Sequence, residues 1–119
     1  MKYLCLIYQE EFRARTLPKD ELAAVIAEFT AFSNGLKQSG KYVGSNALQA
    51  PDTATTVRVR NGRTTTTDGP YAETKEQLGG YYLIEAKDMS EATRIAGQIP
   101  AARWGSIEVR PIRDVTRPA

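Results

Sequence analysis

Two short stretches of this chain are apolar on both faces, and they organise the rest of it. Along residues 2–8, Tyr3, Cys5 and Ile7 alternate with Leu4, Leu6 and Tyr8, so neither side of a strand built from them is polar. Along residues 80–86, Tyr81 and Leu83 alternate with Tyr82, Ile84 and Ala86 in the same way. Strands of this kind are covered on both sides, which predicts that the two lie together at the centre of a sheet. After a polar loop, Pro18 suits a first helical turn, and Leu22, Val25, Ile26, Phe29, Phe32 and Leu36 share one helical stripe. Gly40 suits the end of that helix.

Residues 42–49 predict a weaker strand, ended by Ala50-Pro51-Asp52. In residues 55–60, Val57 and Val59 alternate with Arg58 and Arg60. Asn61-Gly62 is the preferred pair for a two-residue hairpin turn, because both positions take positive φ. The chain then returns through Arg63 and four threonines, whose β-branched side chains fit a half-exposed strand. Past residue 86, Asp88 or Ser90 caps a helix that uses Ala92, Ile95, Ala96 and Ile99, and Pro100 stops it. Residues 106–112 alternate Ile107 and Val109 with Glu108 and Arg110 and end at Pro111, the pattern of a protected edge strand.

The order of elements fits a split βαβ arrangement, a ferredoxin-like α+β fold with an antiparallel sheet of four or five strands and two helices on one face. Two helices shield one face only, while the inner strands are apolar on both. A second copy packing sheet to sheet, with a total burial on the order of 1,600 Å², satisfies the other face, so a homodimer is expected.

Composition narrows the function classes. At 119 residues the chain is expected to form one domain over residues 1–119, and a scattered net charge of +2 points to neither nucleic acid nor an anionic surface. The apolar run at residues 3–8 is too short for a membrane span or a signal-peptide core and is followed by Glu10 and Glu11, so no membrane partner and a cytoplasmic location are expected. The single cysteine, Cys5, sits in a strand as a small hydrophobe. There is no histidine, which removes histidine-ligated metals and His-based triads. With no P-loop and no GxGxxG, neither a metal nor a cofactor is expected.

Candidate chemistry concentrates after the hairpin. Asp68-Gly69-Pro70 has the composition of a turn, and the residues following it place an acid, a phenol and an ammonium on one short loop. A small-molecule ligand in a cleft beside the sheet is therefore expected to meet Asp68, Tyr71 and Lys75, with Tyr81 and Arg58 as further contacts. Asp68 and Glu73 are the candidate acid-base catalysts, a role that requires burial or a neighbouring like charge to raise a carboxyl pKa. Against this stand plainer readings. The Asp68 turn serves the backbone alone, Lys75 and Glu76 with Glu73 nearby form a surface ion-pair loop, and Glu10 and Glu11 are solvated. Arg58, Arg60 and Arg63 keep an edge soluble, Tyr8, Tyr81 and Tyr82 fill the core, and Trp104 packs at the entry to the last strand.

The stretch from Thr67 through Asp68-Gly69-Pro70-Tyr71 to the apolar strand ending at Ala86 resembles the signature of the DGPF branch of the YCII-related proteins, with Tyr71 in place of its phenylalanine. The resemblance extends over nearly the whole chain. It implies ferredoxin-like subunits pairing into a dimeric α+β barrel, in a family largely of unknown function. Some members are implied to use a His-Asp pair for dehydrochlorination or related lyase chemistry, which this chain cannot do without histidine. The resemblance also implies an alternative role as a non-catalytic regulatory or interaction module linked to an alternative sigma factor. Likeness to monooxygenases of similar barrel architecture rests on fold alone.

Overall fold

The computed structural model describes residues 1–11 and 16–116. Its strands are β1 (Lys2–Gln9), β2 (Tyr42–Ala47), β3 (Thr55–Arg60), β4 (Arg63–Asp68), β5 (Gln77–Glu85) and β6 (Ser106–Pro111). Its helices are α1 (Lys19–Gln38) and α2 (Met89–Ala96). The main sheet runs β2-β5-β1-β6 with every neighbouring pair antiparallel, so the two doubly apolar strands are central and β6 is an edge. This is the α+β, ferredoxin-like arrangement.

Both helices pack on the face carrying Tyr3, Cys5, Ile7, Tyr82 and Ile84, where Leu36, Ala92, Ile95 and Ala96 complete a buried core. Asp88 caps α2, its carboxylate accepting from the Glu91 N–H at 2.9 Å. Trp104 seals one end of the core and donates to Gln9 Oε1 at 2.9 Å. Burial pushes the Cys5 thiol up to about 11, consistent with a packing role.

α1 departs from its amphipathic pattern. Of its stripe only Leu36 is buried, with Phe29 and Phe32 partly so, while Leu22 and Ile26 are 38% and 57% exposed. The helix is about 30 Å long, and its N-terminal half stands away from the sheet, leaving a helix-side cleft of about 510 Å³ between Ile26, Phe29 and Tyr82.

The hairpin is the larger departure. Asn61 and Gly62 take φ of 52° and 75°, as the turn requires, and Arg60 lies opposite Arg63. The two strands do not join the main sheet, as the single-sheet expectation had it; they form a separate two-stranded sheet. Every residue of β3 and β4 except Thr56 is exposed. The molecule measures 48 × 48 × 19 Å with a radius of gyration of 16.4 Å, against about 13.5 Å for a compact chain of this length. A projecting hairpin accounts for the excess.

Among the described residues no helix packs on the other face of the main sheet. Leu4 lies opposite Leu83 and Leu6 opposite Tyr81, and with Tyr8 they form a half-buried apolar stripe. β6 borders it with polar groups, Arg110 opposite Leu4 and Glu108 opposite Leu6.

Candidate functional site

The hairpin leaves the sheet where β2 ends and β5 begins, and its two connecting segments wall a cleft of about 1,070 Å³. That is at the upper end of small-molecule pockets. Its floor is the end of the helix-free face, where Tyr8 and Leu78 meet across β1 and β5. Its walls are the segment 48–54 and the loop 70–77.

Local hydrogen bonds explain why both segments hold their course. The Leu48 N–H donates to the Gly79 carbonyl at 2.9 Å, tying the first segment to β5. Gly69 has φ 114°, and its N–H donates to the Ala54 carbonyl at 2.7 Å while its own carbonyl accepts from Thr56 Oγ1. The Asp68-Gly69-Pro70 turn thus joins the two hairpin roots. Gln77 Nε2 donates to the carbonyls of Ala72 and Thr74 at 3.0 and 2.9 Å and gathers the 72–77 loop.

Among the described residues two carboxylates reach the cleft and no lysine or arginine lines it. Glu108 is ion-paired with Arg110. Glu76 accepts from Ser106 Oγ at 2.7 Å through one oxygen; its other oxygen has no protein donor, and no cation lies within 4.0 Å, among the described residues. The cleft therefore combines a mainly apolar lining with two carboxylate oxygens, Glu76 Oε2 and Glu108 Oε1, that accept from no protein donor among the described residues, and of the two carboxylates Glu76 is the one without a cation.

The residues singled out from the sequence fall in several places. Tyr71, 83% exposed, lines the main cleft, and the Arg58 guanidinium sits 5.9 Å from its ring centroid. Glu73 and Lys75 line an adjoining hollow of about 470 Å³ with Glu10, Glu11 and Asp52. There Lys75 pairs with Glu10 at 3.4 Å, not with Glu73 or Glu76, so the loop's ion pair is made to the end of β1. Asp68, exposed at the end of β4 opposite Thr55, lines neither space. Tyr81 lies farther along the open face, its hydroxyl accepting from Asn46 Nδ2 at 2.8 Å. Arg58, Arg60 and Arg63 share the hairpin face opposite to Val57 and Val59. Among the described residues no group of three acidic or thiol side chains converges to hold a metal.

From the sequence, Glu76 is half of a surface ion-pair loop and residue 106 only the start of the last strand, while Leu78 has no reading because β5 starts at Gln77, ahead of residue 80, where the sequence pattern starts the strand. The helix-side cleft makes a poorer site because its polar groups satisfy one another. Ser33 and Tyr82 hydroxyls are 2.7 Å apart, as are those of Tyr42 and Ser45, and burial raises the Tyr82 pKa.

The profile of the YCII-related domain family matches residues 1–116. An uncharacterized protein of Rhizobium meliloti (strain 1021) is similar, at 38% identity over 115 residues, covering 94% of this chain and 92% of that protein.

Proposed function

Starting from the fact that this chain belongs to the YCII-related family, we propose that it binds a small molecule in the cleft at the hairpin root, between two copies that meet through the helix-free faces of their sheets. The observation that carries this reading is the combination at the cleft: a volume fit for a drug-sized molecule, a mainly apolar lining, and a carboxylate, Glu76, with no cation within 4.0 Å among the described residues. A ligand with an apolar body and a protonated amine matches those groups. The body packs between Tyr8, Leu78 and Tyr71, and the amine donates to Glu76. A carboxylate or phosphate in the same place meets the Glu76 and Glu108 carboxylates, with no lysine or arginine among the described lining residues.

Proton transfer at this site would fall to Glu76. Asp68 and Glu73, on the hairpin base and in the acidic hollow, stand outside the cleft. A homodimer is supported by the apolar stripe of Leu4, Leu6, Tyr81 and Leu83, which no element of the described chain covers.

The test uses three probes of one shape: 2-naphthylmethylamine, 2-naphthylmethanol and 2-naphthoate, measured by ligand-observed NMR against wild type and Glu76→Gln. The amine is expected to bind about tenfold more tightly than the naphthoate, equivalent to about 1.4 kcal/mol, and Glu76→Gln to erase that preference. Absence of saturable binding by any probe refutes the ligand reading and favours a non-catalytic interaction module. Tighter binding of naphthoate refutes the assignment of charge.

A further inference from the structure

The β3–β4 hairpin has a definite register and a well-formed turn, yet no described residue packs against its valine face, and beyond its root the contact with the following loop is Arg58 over Tyr71. Val57 and Val59 are 59% and 57% exposed and lie on one face with Thr64 and Thr66 opposite them. A lone two-stranded hairpin is at best marginally stable in water, and gains stability when its apolar face meets another surface. Its other face carries Arg58, Arg60 and Arg63, none with a carboxylate within 4.0 Å among the described residues.

We propose that the hairpin is an arm that seats on a second copy of this chain, with Val57 and Val59 turned into the contact. The proposal rests on the dimeric cleft reading above and adds to it the element that holds the two copies together.

Size argues for this occupant. The helix-free face of four strands, each paired over about six residues, has a flat footprint of about 400 Å². Stable interfaces bury about 800 Å² of accessible surface on each partner. The hairpin is about 20 Å long and 10 Å wide and adds about 200 Å² of flat footprint. In a two-fold contact each copy lays down its own arm and receives its partner's, so the arm enlarges the patch twice over. Charge agrees. The arm presents three arginines, and Glu73 in the hollow of the same chain has no cation within 4.0 Å among the described residues, so a second copy brings a counter-charge of its own.

The arm also bears on the cleft. Tyr8 and Leu78 belong both to the cleft floor and to the helix-free face, so the copy that covers that face roofs the cleft.

Sedimentation velocity on wild type, Val57→Lys/Val59→Lys and Val57→Thr/Val59→Thr tests the arm. Both valines are exposed in a single copy, so the substitutions leave the core intact, and the threonine pair also retains β-branching. Wild type is expected to be dimeric at 10 μM. Four valines lose their burial per dimer, so the lysine variant is expected to dissociate at a concentration at least a hundredfold higher, with the threonine variant between. A dimeric wild type whose two variants dimerise equally well overturns the arm and leaves the dimeric cleft standing. A wild type monomeric at 100 μM overturns both. If the lysine variant fails to fold, the threonine variant decides: unchanged dimerisation overturns the arm, and weakening supports it.

Discussion

Gly105→Ala should be among the most damaging single-methyl additions in this chain, and its cost can be worked from the packing. A Cβ at residue 105 would lie 2.2 Å from the Tyr8 carbonyl oxygen, 3.2 Å from Gln9 Cβ and 3.3 Å from the Ala101 carbonyl oxygen. The first neighbour is main chain in the central strand, so no rotamer change relieves the clash; the last turn before β6 must move away from β1 by about an ångström. Overpacking of this kind costs about 1–3 kcal/mol, and the displaced Gly105 N–H loses its 2.7 Å bond to Ala101, worth about 1 kcal/mol. The sum, about 3 kcal/mol, is a large part of a typical stability of about 5–15 kcal/mol. Urea denaturation should show that loss, and thermal melting a fall in Tm of about 12 °C. Because Tyr8 and Ser106 border the cleft, binding of the naphthylmethylamine probe should weaken in the folded variant as well. Gly44→Ala is the control, since nothing lies within 4 Å of its added Cβ. A Gly105→Ala protein within about 1 kcal/mol of wild type would refute the reasoning, because it would mean that β1 and β6 yield freely at this point.

Cys5, with its thiol pushed up to about 11 by burial, should resist Ellman's reagent in the native protein at pH 8 and react fully once unfolded in guanidinium; rapid reaction of the native thiol would contradict its place in the core. Glu91 accepts from Lys41 Nζ at 2.9 Å and from the Lys87 N–H at 3.2 Å, and these contacts hold its carboxyl below the ordinary 4.5. The folded value lies below the unfolded one, so this stabilisation is complete above the unfolded carboxylate range and is lost as pH falls through the folded value. The stability difference between wild type and Glu91→Gln should therefore be constant near neutrality and shrink in acid, as urea titrations across pH would show; a gap that widens in acid would reverse the assignment.

How much the sequence foretells differs between fold and site, for a physical reason. The central places of β1 and β5 follow from two-faced apolarity, because only a covered strand tolerates it, and the Asn61-Gly62 turn follows from φ preference. Such signals are local. That β3 and β4 stand apart from the sheet is not local: alternation in residues 55–60 describes a strand without saying what lies against its valines. α1 shows the same limit, since the stripe holding Leu22 and Ile26 reads as core while both are exposed. At the site, the DGP turn was legible, and Gly69 takes the positive φ its composition suggested, but the turn binds the two hairpin roots to each other and leaves Asp68 outside the cleft. Leu78 stayed hidden because the apolar alternation starts at residue 80, whereas Gly80 sits inside β5, where the Asn46 carbonyl oxygen would come within 2.8 Å of any Cβ.

The central claim is that ligand occupies the space between the hairpin root and the helix-free face, and amide chemical-shift mapping during a titration with 2-naphthylmethylamine tests it most directly. Saturable shifts are expected at residues 48–50, 53–54, 71–72, 74, 76–78 and 106–108, which border the cleft, with little change at Ser33, Asn34 or Tyr42. Shifts centred on those last three residues would place the ligand in the cleft beneath α1 and contradict the account.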